Sequence, residues 1–286
     1  MRKHLNFLKR TLFTVLLCLC VTASMPDPVN AKTQAVTSGD KQTDKKAKAI
    51  IKKVITAGMT DAEKVKAVHD YLVLNCAYDY ENLLRGTIPS VSYTAKGALL
   101  KKKAVCQGYA ESFKLLMDMA GIPCKMVTGT ADNGSGYAGH AWNMVKVDGK
   151  WYQIDVTWDD PAPDTKGYVR YAYFLIPDSK MDDDHRWKRS AYKKCATDHA
   201  DKFVQLFGMV CETADEAVDA FYEDYTQHQG SQSTIIINKK LYSDSFDYGM
   251  FDDLEERYGI SIHGWRYTTP TAYGSYYMIQ YSDFQN

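Results

Sequence analysis

The chain has 286 residues, 45% of them apolar and 24% charged, and its 35 basic residues are balanced by 35 acidic ones. This is the composition of a globular protein able to bury a sizeable core, and it excludes a disordered chain. The charge balance leaves no footprint for nucleic acid or an anionic membrane surface as a partner.

The first segment reads as a targeting signal. Arg2, Lys3, Lys9 and Arg10 form a basic region, and Thr11 to Ala23 is an apolar run too short to span a bilayer. Small residues in Val29-Asn30-Ala31 place cleavage after Ala31, with Val21-Thr22-Ala23 as the competing site. Residues 1–31 are therefore the expected signal peptide. The mature chain is expected to be secreted or extracytoplasmic, with no membrane insertion after cleavage. Cys18 and Cys20 leave with the signal; Cys76, Cys106, Cys124, Cys195 and Cys211 remain. An odd number implies at least one thiol that is free or bonded to another chain.

Residues 32–45 are polar and read as a flexible leader. Apolar spacing predicts a helix over Lys46–Thr56, and a second helix starts after Thr60, where Thr60 and Glu63 have capping-box spacing. Asn75 to Ser92 reads as a loop and Ala95 to Leu100 as a short helix or turn. A third helix runs from Cys106 to about Ala120, with Ala110, Phe113, Leu116 and Met117 on its apolar face, and Gly121-Ile122-Pro123 stops it. Strands are expected at Cys124–Thr130, His140–Val147 and Trp151–Trp158, with a Gly-rich loop at Ala131–Gly139 and a further candidate strand at Tyr171–Ile176. Asp178 to Ala200 reads as charged and irregular. The pattern restarts with a helix over Thr213–Gln227, a strand over Thr234–Asn238, a helix over Phe246–Tyr258, and strands at Ser261–Tyr267 and Tyr276–Tyr281. The expected organisation is one domain over 46–205 and a small α/β domain over 213–286.

Three residues in this frame carry chemistry. Cys106 opens a helix, where unpaired N–H groups and the positive dipole end favour a thiolate. Asp148-Gly149 is a two-residue hairpin signal. Pairing Val147 with Lys150 puts His140 opposite Thr157 and Trp142 opposite Asp155, all on one face, with His140 and Asp155 as diagonal neighbours. Asp155 would then orient His140, which would activate Cys106, with Trp142 and Trp158 as apolar pocket walls. A buried structural cysteine beside a satisfied polar pair is the competing interpretation.

The segments Val105-Cys106-Gln107-Gly108-Tyr109-Ala110, Gly139-His140-Ala141-Trp142-Asn143 and Ile154-Asp155-Val156-Thr157-Trp158 resemble the three motifs of bacterial transglutaminase-like proteins. The resemblance covers roughly Thr60 to Trp187. It implies an α+β, papain-like core with the nucleophile helix packed on an antiparallel sheet. It also implies Cys106 as nucleophile, His140 as base and Asp155 as its orienter. Related thiol enzymes take one oxyanion donor from the nucleophile's own N–H and another from an upstream side chain, for which Tyr93 is the candidate.

Asp182-Asp183-Asp184-His185 lacks calcium-loop intervals and reads as a solvated acidic turn, although the resemblance gives His185 a structural or pocket-lining place. No paired Cys-x-x-Cys spacing exists, so structural zinc is not expected; no other metal and no cofactor are expected. The expected function is thiol-dependent hydrolysis of peptide or related amide bonds, with a peptide, protein or cell-wall peptide as substrate. The alternatives are transglutaminase-type cross-linking, or a binding module on a vestigial thiol fold. The oligomeric state stays open.

Overall fold

Helix α1 (Lys41–Val54) begins inside the expected leader, because Asp40 caps it by accepting from the Thr43 N–H at 2.8 Å and Thr43 itself is buried. The computed structural model describes residues 36–160, 162, 167–196, 204, 206–208, 210–267, 270–273 and 275–285; the expected signal peptide lies outside them. Helix α2 (Asp61–Asn75) carries the anticipated capping box. Thr60 Oγ1 accepts from the Glu63 N–H, and the Glu63 carboxylate accepts from the Thr60 N–H at 2.7 Å.

The stretch expected to be a loop is ordered instead. It holds strand β1 (Ala77–Tyr78), helix α3 (Tyr80–Arg85) and a 3-10 turn at Ser90–Tyr93. The organiser is Asp79, a buried carboxylate that accepts from Ser92 Oγ and Asn82 Nδ2, each at 2.8 Å. A short helix fixed by one distant tertiary contact leaves no periodic trace in sequence. Strand β2 (Lys103–Ala104) pairs in parallel with β1 and leads straight into helix α4 (Cys106–Met119), which buries Phe113, Leu116 and Met117.

Strands β3 (Cys124–Asp132), β4 (Tyr137–Val147) and β5 (Lys150–Ile154) follow, then helix α5 (Asp178–Met181) and strand β6 (His185–Trp187). These strands form one antiparallel sheet in the order β5-β4-β3-β6. Asp148 and Gly149 both have positive φ, 48° and 82°, the form that matches strand twist in a two-residue hairpin. The register is the expected one, with Val147 opposite Lys150 and Asn143 opposite Ile154.

The expected third strand stops early, however. After Ile154 the chain turns, because Asp155 Oδ1 accepts from the N–H groups of Thr157 and Trp158. His140 and Thr157 are therefore not ladder partners. Tyr171–Ile176 forms only a single bridge, Gln153 to Ile176. Strand β6 was hidden in the charged stretch. It approaches β3 at Gly129, where a Cβ would lie 2.1 Å from the Arg186 carbonyl oxygen, so only glycine admits it.

Helix α4 packs on one face of this sheet and Asn143 Nδ2 donates to its Ala110 carbonyl at 3.0 Å. The opposite face buries Val127, Trp142 and Met144 with Ile176, Met181 and Cys195. The fold is thus α+β, with the helix that begins at Cys106 laid on an antiparallel sheet.

The C-terminal residues build a second sheet: β7 (Val210–Cys211), helix α6 (Ala214–Gln227), β8 (Gln232–Asn238), helix α7 (Phe246–Tyr258), β9 (Gly264–Tyr267), β10 (Thr271–Tyr273) and β11 (Tyr276–Gln285). Its order is β10-β11-β8-β7, with β9 also pairing to β11. It has its own cluster around Val218, Phe221, Phe251, Leu254 and Tyr281. Ile236 and Met278, from its two central strands, belong instead to the main cluster, and Gln280 Nε2 donates to the Val169 carbonyl at 2.5 Å. The described residues form one compact unit. No helix among the described residues is long and apolar enough to cross a membrane.

Ile236→Ala and Met278→Ala should each cost about 2–4 kcal/mol. Calorimetry of the full chain should give one cooperative transition; two separated transitions would mean that this shared patch does not couple the two sheets.

Candidate active site

Helix α4 starts at Cys106 after Val105, whose side chain makes no cap. The first-turn N–H groups therefore keep their partial positive charge directed at the cysteine end. Cys106 is half-buried and carries a thiol. Gln107 points along the helix, donating from Nε2 to Glu111 Oε1 at 3.0 Å.

His140 sits on β4 beyond the last β4–β5 pair, Asn143 with Ile154. Its Nε2 lies 2.6 Å from Asp155 Oδ2, and the Cys106 side chain acts on the imidazole to raise its proton affinity. His140 thus interacts with Asp155 on one side and with Cys106 on the other. Burial opposes a charge on His140. The Asp155 carboxylate, by charge and hydrogen bond, and the contact with Cys106 overcome that and push its pKa up to about 10. Burial acts against the Asp155 charge as well, but His140 and His185 hold its pKa well below the usual carboxylate range.

Both expected wall residues flank the imidazole. Trp142 is stacked 5.9 Å from His140 and donates from its buried indole to Gln153 Oε1 at 2.8 Å. Trp158 lies 5.5 Å from His140 and 4.5 Å from His185. Tyr93 ends the 3-10 turn and is 39% exposed.

A second tyrosine, Tyr78, lies on β1. Burial pushes the Tyr78 hydroxyl up beyond its ordinary range, and the charges of Cys106, Tyr93, Asp155 and Asp79 add to the shift. The Tyr78 hydroxyl therefore keeps its proton. Nothing in the Asn75–Ser92 pattern marks it.

The expectation of a solvated acidic turn holds for Asp182 and Asp183 but not for its last two residues. His185 is fully buried on β6, with Nε2 3.1 Å from Asp155 Oδ2 and Nδ1 2.5 Å from Asp184 Oδ1. His140, Asp155 and His185 bring three possible ligand atoms within 4.8 Å of one another. The 2.6 Å separation of His140 Nε2 and Asp155 Oδ2 is too short for two ligands on one ion, whose bonds of about 2.0–2.2 Å would hold them roughly 3 Å apart or more. In this arrangement the group is hydrogen-bonded.

The turn after Asp155 is clamped from elsewhere in the fold. His69, fully buried on α2, places Nε2 3.1 Å from Asp159 Oδ2 and Nδ1 2.9 Å from Asp70. The Tyr109 hydroxyl, from α4, donates to Asp160. Burial pushes Asp159 up to about 6, with His69 pulling the other way. Burial disfavours a charged His69, but Asp159 and Asp70 outweigh it and raise it to about 9.

Residues 48–156 match the model of the transglutaminase-like superfamily. Kyphoscoliosis peptidase of Mus musculus and that of Homo sapiens are each 28% identical over 124 residues, which are 41% of this chain and 18% of the relative. The chain therefore spans under a fifth of the length of these curated relatives. A solved structure described as a TGase is 22% identical, with a TM-score of 0.38 over 48% of this chain and 37% of that one.

His69 supplies a pH test. Its proton is bound more tightly in the folded state, so its contribution is complete below about pH 6.5 and is lost as pH rises through about 9. Denaturation midpoints should fall across that window. His69→Gln should flatten that fall while lowering stability at pH 6; an unchanged slope would mean that His69 is not charged in the fold.

Proposed function

Residues 48–156 of this chain belong to the transglutaminase-like superfamily, and from that premise we propose that it is a cysteine-dependent acyl-transfer enzyme that hydrolyses peptide or related amide bonds. The observation that carries the reading is His140, held at 2.6 Å by the buried Asp155 carboxylate, with its proton affinity raised further by the thiol that opens α4.

In this reading Cys106 attacks the substrate carbonyl as a thiolate, its proton residing on His140. The tetrahedral oxyanion takes a hydrogen bond from the Cys106 backbone N–H at the helix start, and a second from a tyrosine hydroxyl. Tyr93 is the candidate for that second donor, and Tyr78, whose hydroxyl keeps its proton, is a second one. His140 then protonates the leaving amine, giving a Cys106 thioester, and afterwards takes a proton from the water that hydrolyses it. Asp155 holds the imidazole in the required tautomer throughout.

Hydrolysis rather than cross-linking is supported by the peptidase name of the curated relatives, over the shared 124 residues only. The substrate class is a peptide or protein. A secreted site of action, with cell-wall peptides among the candidate substrates, rests on the N-terminal sequence pattern.

Incubating the full chain with a peptide pool and cell-wall fragments, with products read by mass spectrometry, tests the reading. New carboxyl termini should appear with the wild type and not with Cys106→Ala. Isopeptide products would favour transamidation, and identical spectra would sink the enzyme reading. Asp155→Asn should lower turnover by roughly 10²–10⁴-fold, and a loss below threefold would remove Asp155 from the mechanism.

A further inference from the structure

Two imidazoles, not one, approach Oδ2 of Asp155. His140 Nε2 lies 2.6 Å away and His185 Nε2 3.1 Å. An ionised carboxylate only accepts, so both nitrogens carry protons. The other nitrogen of His185 faces a second carboxylate, 2.5 Å from Asp184 Oδ1, whose Oδ2 accepts from the Tyr173 hydroxyl at 2.6 Å. A ring that donates from both nitrogens is an imidazolium.

The groups facing it are few. They are Asp155 just beyond β5, His140 from β4, Asp184 beside it in the chain, and Tyr173 from the segment between β5 and α5. The rings of Trp142 and Trp158 take up further sides. His140 and His185 have their ring centroids 5.3 Å apart and approach the same carboxylate oxygen.

We propose that His185 is a positioning residue of the thiol site: clamped as an imidazolium between Asp155 and Asp184, it fixes the Asp155 carboxylate and divides that carboxylate's charge with His140. The inference rests on reading Cys106 and His140 as nucleophile and base. Its chemical point concerns the return of the proton. A base that must later protonate a leaving amine works best when its proton is not held too tightly. A buried carboxylate serving His140 alone would hold it more tightly than one already engaged by a neighbouring cation. The behaviour of His185 agrees: burial disfavours its charge, yet the hydrogen bonds to Asp155 and Asp184 raise its proton affinity above the ordinary value.

The test uses the full chain with ¹⁵N-labelled histidine, read by imidazole NMR, alongside iodoacetamide alkylation of Cys106. In the wild type, His185 should show two protonated ring nitrogens at pH 7. His185→Gln removes the charge but keeps an amide donor, and should raise the titration midpoint of His140 by about one pH unit. A merely structural role would lower melting temperature without moving that midpoint. If His185→Gln does not fold, Asp184→Asn should lower the midpoint of His185 by about one unit. A neutral His185 at pH 7, or an unmoved midpoint in the folded variant, overturns the proposal. The enzyme reading fails separately: wild-type Cys106 would then be alkylated no faster than a small-molecule thiol while His185 still carried both protons.

Discussion

A carboxylate sealed from water and fully committed to hydrogen bonds organises this end of the molecule. Asp155 accepts from Thr157 N and Trp158 N on one oxygen and from His140 and His185 on the other. A buried charge survives only when paired and hydrogen-bonded, and here each partner also builds structure. The backbone donors end β5 and bend the chain away. His140 fixes the exposed-end half of β4 relative to that bend. His185 ties in β6, the edge strand that Gly129 admits.

Two more acids extend the arrangement. Asp155, Asp159 and Asp160 lie within one turn, and each is held by different elements: β4 and β6, α2, and α4. Helix α4, which presents Cys106, and the turn that presents Asp155 are therefore linked by Tyr109 as well as through His140. The relative placement of thiol and imidazole is set by contacts on both sides of the pair, not by the sheet alone.

The parts of this arrangement that were legible in sequence are the local ones. The Thr60–Glu63 cap, the apolar face of α4 and the Asp148-Gly149 turn are each written in a few adjacent residues, and the turn gave the register outright. The early end of β5 was not legible, because the Asp155 side chain competes with the ladder for its own downstream N–H groups, and a β-branched, aromatic run such as Val156-Thr157-Trp158 conceals that. The structural role of Asp79 and the contact of His185 with Asp155 were not legible for another reason. Their partners are distant in sequence: Ser92 for Asp79 and Asp155 for His185. A three-residue strand in charged surroundings, or a six-residue helix anchored by one carboxylate, has no period to detect.

The tight hairpin has a consequence for how chains of this kind can vary over evolutionary time. His140 and Asp155 are 15 residues apart, joined across a turn with no spare length. Adding or losing one residue there would send alternate side chains to the wrong face and separate the pair. The path from Cys106 to His140 instead crosses the exposed residues 133–136, where an insertion merely lengthens a loop. In distant relatives the interval from histidine to aspartate should stay nearly constant, while the interval from cysteine to histidine drifts, and that asymmetry is a ruler for finding the site in chains whose motifs have worn away.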